Sequence, residues 1–368
     1  MGRRHIIIGL IHITVITLFS VVFSHTIIYS LTSMLALKSS VEVKDYQISD
    51  LYTVVADKSL QRKISSNVVL MAVDGLSREQ ITEVINIVHN ASPKTIGVDI
   101  MFQYCYDSDS VLIAATSDSN IIMAAVRYDD TSMSTSYFCD NMHKSRVGFT
   151  NLEVSSPIDV VRYYRNQYNV NNSLFYSFAT EVAIAGGYDI GKLDTETAFI
   201  YYPSLDFWVI EPHMLVEQPA ECENIMKDKI VLIGDMKNLQ DMHATPVGAM
   251  SGLQIQASII ETIIEKYDIK RSPTWTNWII AIFSCVLIIL FNLYLQDKNL
   301  AAGRLLFRLV QLVLLFLFFW AGCILFARHN LCIDFTLTLS TIAIGLLAYD
   351  IYFGLLALYK RIIYIRKK

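Results

Sequence analysis

Residues 67–75, Asn67-Val68-Val69-Leu70-Met71-Ala72-Val73-Asp74-Gly75, run six apolar residues together and then stop at an acid and a glycine. An apolar stretch this short, rich in valine and bounded by turn residues, reads as a strand buried on both faces. From Ser77, placed as an N-cap, apolar residues recur at helical spacing through Ile81, Val84, Ile85 and Val88, and Pro93 closes that helix. Thr95–Phe102 is predicted as the next strand, 108–118 as a short helix and Ile121–Val126 as a third strand. Strands alternating with helices in this way predict parallel pairing through right-handed crossovers.

Working outward, Val147-Gly148-Phe149 reads as a strand and 173–187 as a helix ending in Gly186-Gly187. Phe199-Ile200-Tyr201-Tyr202 is predicted as a strand before Pro203. Lys229-Ile230-Val231-Leu232-Ile233-Gly234 is another strand apolar enough for a sheet covered on both sides. A loop is expected from Asp235 to Gly252, then a helix from Ile255 to about Ile264. The expected fold class is α/β, with a mixed or parallel sheet in one domain over 30–272, long enough to bury a sizeable core. No internal repeat or low-complexity linker interrupts it.

The rest of the chain is of a different kind. Of its 368 residues, 53% are hydrophobic and 17% charged, and the apolar excess is concentrated in blocks at 6–28, 275–295, 305–327 and 333–358. A bilayer core needs roughly 20 helical residues to cross, so four transmembrane helices are expected, one N-terminal and three C-terminal. The first block exceeds the h-region of a signal peptide and lacks a small-x-small cleavage site, so an uncleaved anchor is expected. Arg3, Arg4, Lys298, Arg304, Arg308, Lys360, Arg361, Arg366, Lys367 and Lys368 all fall on one side if the spans alternate, against Arg328 alone in the loop 328–332. The expected layout is therefore residues 1–29 as cytoplasmic start and first span, 30–272 outside, 273–359 as three spans, and 360–368 as a basic cytoplasmic tail. Trp275 and Trp278 stand where an aromatic belt would place them.

The outer segment holds 19 Lys and Arg against 31 Asp and Glu, so its formal charge is 19 − 31 = −12. Such a surface argues against nucleic acid as a partner and also serves solubility. No G-x-x-x-x-G-K-[ST], G-x-G-x-x-G, H-E-x-x-H, G-x-S-x-G or C-x-x-C motif occurs. No enzymatic activity, cofactor or metal is expected.

Ligands of parallel α/β sheets gather beyond the carboxyl ends of the strands. Asp74 and Asp99 end apolar strands, and Gly234, Asp235, Asp241, His243 and Thr245 follow another, so these seven are the candidate ligand-binding residues. The alternative is structural, with the acids capping helices or accepting from turn amides. His243 has no second His or Cys at metal-ligand spacing. Cys105 and Cys139 could pair in an oxidising compartment, although Cys222 leaves an odd number in the domain. Within the membrane blocks Asp350 is costly and worth a function. Arg304, Arg308 or Gln311 are its candidate partners, in a structural pair or an ion path.

The strand Val68–Asp74 with Ser77, then Pro93-Lys94-Thr95-Ile96-Gly97-Val98-Asp99-Ile100-Met101-Phe102, lead to Asp228-Lys229-Ile230-Val231-Leu232-Ile233-Gly234. Asp241, Thr245-Pro246-Val247-Gly248 and Gly252-Leu253-Gln254-Ile255-Gln256-Ala257 then precede the three spans. Together these elements resemble the type-2 CHASE domain, a sensory extracellular module of bacterial cyclases and histidine kinases, over about residues 40–360. The resemblance implies an α/β sensor in a bacterial plasma membrane, passing ligand occupancy inward through its helices. The chain departs from the family pattern with Gln256 where a His is usual, and without a Trp-Pro-x-Arg stretch after Ser77. With the chain ending at Lys368, the output is expected in a separate signalling or assembly protein, and a homo-oligomer is a further expected partner state. A small transporter or channel using Asp350, a scaffold subunit of an envelope complex, and a metal-dependent hydrolase using Asp74, Asp99 and Asp241 are the alternatives.

Overall fold

The computed structural model describes residues 11–26, 47–102, 106, 109–127, 133–135, 146–154, 159–170, 173–190, 197–297 and 302–366. In chain order, α1 (Ile11–Thr26) and α2 (Ile48–Ser59) precede β1 (Lys63–Ala72), α3 (Arg78–Asn90), β2 (Thr95–Asp99), α4 (Ser110–Ala115) and β3 (Ile121–Arg127). Next come β4 (Met133–Thr135), β5 (Arg146–Phe149), β6 (Tyr163–Arg165), β7 (Gln167–Val170), β8 (Ser173–Tyr176), α5 (Phe178–Ala185), β9 (Thr197–Phe199) and β10 (Leu205–Ile210). Then follow α6 (Pro212–Glu217), α7 (Pro219–Met226), β11 (Ile230–Gly234), β12 (Met242–Thr245), β13 (Gly248–Ser251) and α8 (Gly252–Ile264). The chain finishes with β14 (Lys270–Arg271), α9 (Thr274–Asp297), α10 (Gly303–His329), β15 (Leu331–Cys332) and α11 (Thr336–Arg366). Two compact units result, one over Thr53–Ile269 and one from the residues before and after it.

In the central unit a seven-stranded sheet runs β10-β1-β11-β2-β3-β4, with β5 also on β3. All its pairings are parallel except β3 with β4. Helices cover both faces, and the two-residue period of β1 assigns the sides. Val69, Met71 and Val73 pack with Ile81, Val84, Ile85 and Val88 of α3 and with Leu215 and Met226 of α6 and α7. Val68 and Leu70 pack on the other side with Phe178 and Val182 of α5 and with Leu253, Ile259 and Ile260 of α8. Each such fully buried aliphatic side chain is worth about 1.5–3 kcal/mol.

The parallel order expected of the first three strands is present, but β1 and β2 are not neighbours. β11, buried at all five positions, inserts between them. A strand with no polar face gains most at the centre, where both sides are covered. Helix α3 begins after Ser77, whose side chain caps Gln80 in a reciprocal capping box. Residues 173–176, expected within a helix, instead form the hairpin strand β8 against β7, and the helix starts only after its own cap at Ser177. The loop expected over Asp235–Gly252 contains the hairpin β12–β13.

In the other unit, Thr274–Leu295 and Leu305–His329 are long and apolar enough to cross a membrane, with mean hydropathies of 2.5 and 2.6. Ile16 and Val21 of α1 pack with Cys285 and Ile289 of α9 and with Leu337 and Tyr352 of α11. The Tyr52 side chain, fully buried, lies against Gly322 and between Phe319 and Phe326 of α10. Lys270 and Arg271 pair with Leu331 and Cys332.

Candidate functional site

Three parallel strands, β1, β11 and β2, deliver Asp74, Asp235 and Asp99 to one edge of the sheet. The register sets Gly234 beside both Ala72 and Asp99. A Cβ at residue 234 would meet Leu253 at 2.9 Å and the Asp99 carbonyl at 3.1 Å, so glycine lets β2 and α8 close on this edge.

Asp74 is chiefly a loop anchor. Its Oδ1 accepts the amides of Met236 at 2.9 Å and Lys237 at 2.6 Å, which fixes the turn after β11. Its Oδ2 is buried with no hydrogen-bond partner among the described residues. Asp241 comes next, at the end of that loop. Its Oδ2 accepts the Gly252 amide at 3.1 Å, and its Oδ1 stands 3.4 Å from His243 Nε2. The carboxylate therefore occupies the positive end of α8, where the first amides lack helical partners. Thr245 serves the hairpin, its hydroxyl donating to the Gly248 carbonyl at 2.6 Å.

Around Asp99, Asp241 and His243 opens a cleft of about 380 Å³, also lined by Val126, Thr150, Asn151, Leu152, Val154, Gly252 and Gln256. Asn151 fastens one wall to β3, accepting from the Arg127 amide at 2.7 Å and donating to the Arg127 carbonyl at 2.8 Å. Gln256, 3% exposed on α8, donates to the Thr150 carbonyl at 3.1 Å and ties the opposite wall to the first.

The electrostatics follow from crowding acids at a partly buried rim. Burial, and then the Asp241 and Asp235 charges, push the Asp99 carboxyl up to about 7. Asp235 is raised too, by burial and then by Asp74 and Asp241. Near neutral pH the cleft therefore presents a carboxyl, that of Asp99, able to donate as well as accept, next to Asp241 and the His243 ring. Among the described residues no three His, Cys, Asp or Glu side chains are grouped to hold a metal ion.

Of the seven residues expected at the rim, the structure brings Asp99, Asp241 and His243 to the cleft. Asp74, Asp235 and Gly234 shape the edge beside it, and Thr245 closes a turn. Asn151 and Thr150 were not expected. They lie about a hundred residues before α8 in sequence, and no local signal marks them. Gln256 stood out in the sequence only as a departure from a family pattern.

In the other unit Asp350 is on an exposed position of α11 and has no ion pair among the described residues. Arg308 donates instead to Gln311 Oε1 at 3.0 Å, and the Gln311 amide reaches the carbonyls of Ile342 and Ala343. Cys105, Cys139 and the Arg304 side chain lie outside the described residues. Cys222, Cys285, Cys323 and Cys332 are free thiols.

A family model described as the CHASE2 domain matches residues 23–293, well over half of the chain. No curated protein and no solved structure matches.

Proposed function

The chain belongs to the CHASE2 family of sensory extracellular domains, and from that premise we propose that it is a non-enzymatic membrane sensor whose output lies in a separate protein. The observation that carries this reading is the cleft at the carboxyl ends of β2, β3 and β5. It is walled by α8, and only the residues 265–273 separate that helix from the apolar helix α9. A small polar ligand with hydrogen-bond donors matches Asp241, His243 and Asn151. Its arrival would change the ionisation of Asp99 and the seat of α8.

Four spans with both termini inside agree with the clustering of Lys and Arg in the first, middle and last flanks. Two internal contacts of the membrane unit also agree. Tyr52 packs near the carboxyl-terminal end of α10, and Lys270-Arg271 pair with the loop that follows α10. All three segments then share the outer face. The transport alternative has less support, because Asp350 is exposed and Arg308 is engaged by Gln311.

Two measurements test the proposal. Cysteines placed at Asp268 and at Arg361 should react oppositely with a membrane-impermeant maleimide in intact cells, the first labelled and the second protected. In-membrane crosslinking of the whole chain should capture a defined partner whose yield changes in Asp241→Ala. Equal labelling of both sites would end the topology, and capture of no partner in either form would end the relay.

A further inference from the structure

A second cavity, of about 200 Å³, lies at the opposite, amino-terminal edge of the sheet, where β1 begins. Lys63, Ser65, Tyr201, Glu261, Glu265 and Tyr267 are among the residues that line it. Glu261 is 3% exposed, and a buried carboxylate is tolerated only with strong compensation. The compensation visible here is neutral. The Ser65 hydroxyl accepts the amides of Asn67 at 3.1 Å and Val68 at 2.8 Å, so its single proton goes to Glu261 Oε1. The Asn67 side-chain amide divides its two hydrogens between Glu261 Oε2 at 3.2 Å and Glu265 Oε1 at 3.1 Å.

That arrangement fixes Glu261 as an acceptor and holds a second carboxylate one helical turn away, a like-charge spacing that is itself unfavourable. No Lys, Arg or His is within 4.0 Å of either carboxylate among the described residues. Lys63 lines the cavity without pairing to them. The remaining wall is aromatic. Tyr201 and Tyr267 stack with ring centroids 4.0 Å apart at 14°, and Thr262 of α8 fixes Tyr201 by accepting its amide at 2.9 Å. Carboxylates without a counter-cation, facing tyrosine rings across a space too small for a macromolecule, are the chemistry that recognises an ammonium group.

We propose that this amino-edge cavity binds a small organic cation, a primary amine on a short apolar stem. The ammonium pairs with the Glu261 and Glu265 carboxylates alongside the Asn67 amide that bridges them, and the stem lies along the Tyr201–Tyr267 stack. This site is separate from the strand-end cleft and does not depend on it.

The test is calorimetric titration of the full chain in a neutral detergent with n-butylammonium chloride and with 1,4-diaminobutane. Sodium chloride and magnesium chloride at equal ionic strength are the controls. The expected result is saturable amine binding absent with either salt, at least tenfold weaker in Glu261→Gln and several-fold weaker in Tyr201→Leu. If Glu261→Gln does not fold, Glu265→Gln, at an exposed position, carries the same comparison. An equal response to magnesium would make this an inorganic cation site and overturn the proposal. So would a non-saturating response, or amine binding unchanged by the glutamate substitutions.

Discussion

Asp241 and Gly252 are fitted to one another: the Gly252 amide donates to Asp241 Oδ2 at 3.1 Å, and a Cβ at residue 252 would lie 2.6 Å from that same oxygen. The helix N-terminus is thus open to a carboxylate only because its first residue has no side chain. Gly252→Ala should displace Asp241 and cost about 1–3 kcal/mol, the usual range for overpacking. Asp241→Asn alone should cost about 0.3–1 kcal/mol through the lost charge at the helix end. Thermal unfolding of Gly252→Ala, of the truncation Asp241→Ala and of their double variant should show strong non-additivity, since removing the Asp241 carboxylate removes what the new Cβ collides with.

Asp99 predicts a pH dependence of definite sign. Its folded carboxyl titrates at about 7, against about 3.9 in an unfolded chain. Between those values the folded domain holds a proton that the unfolded chain has released, so stability falls as pH rises from about 4 to about 7. Asp235 is shifted the same way and adds to the slope. Unfolding midpoints measured from pH 5 to pH 8 should decline in the wild type and decline less steeply in Asp99→Asn. An unaltered slope in that variant would remove Asp99 from the explanation.

Gln256 joins the two walls of the cleft by one part-buried hydrogen bond to the Thr150 carbonyl. Gln256→Leu keeps most of the bulk but leaves that carbonyl without its partner, which should cost about 1–3 kcal/mol. Hydrogen exchange should then report faster opening of residues 150–154 while the amides of β1 stay protected. Uniform loosening of the whole domain would contradict the local role given to Gln256.

Tyr52 and Gly322 should behave as a matched pair in the unit that holds α9, α10 and α11. The tyrosine ring fills the space a Cβ at 322 would need, so Gly322→Val should destabilise that unit by about 1–3 kcal/mol. Tyr52→Ala in the same chain should recover part of the loss. Melting in detergent followed by tryptophan fluorescence would resolve both effects, and strictly additive losses would argue against the contact.

Much of this was legible in the chain because β1, β11 and α3 carry single-purpose patterns. Ile230–Gly234 has no polar face, and Ser77 with Gln80 spells its own cap. β10 was not legible. Leu205-Asp206-Phe207-Trp208-Val209-Ile210 mixes half-exposed and buried positions, as an edge strand does, and its pairing with β1 is parallel and more than a hundred residues distant. The candidate rim was half legible for a related reason. Strand ends announce acids such as Asp99, but the partners that decide what those acids do are set by tertiary contacts. Asp74 looked like a ligand group and is used to hold the amides of Met236 and Lys237.

Helix α8 meets Asp241 through Gly252 and meets Ser65 and Asn67 through Glu261. Nine residues of helix separate those contacts, about 13 Å of rigid rod. A displacement of α8 along its axis would be felt at both edges of the sheet at once. Two occupants sharing such a lever would be bound by reciprocity: whatever factor one imposes on the other's affinity, it must receive in return. The helix would then make the domain a reader of two chemical inputs together, the response to each set in part by the level of the other.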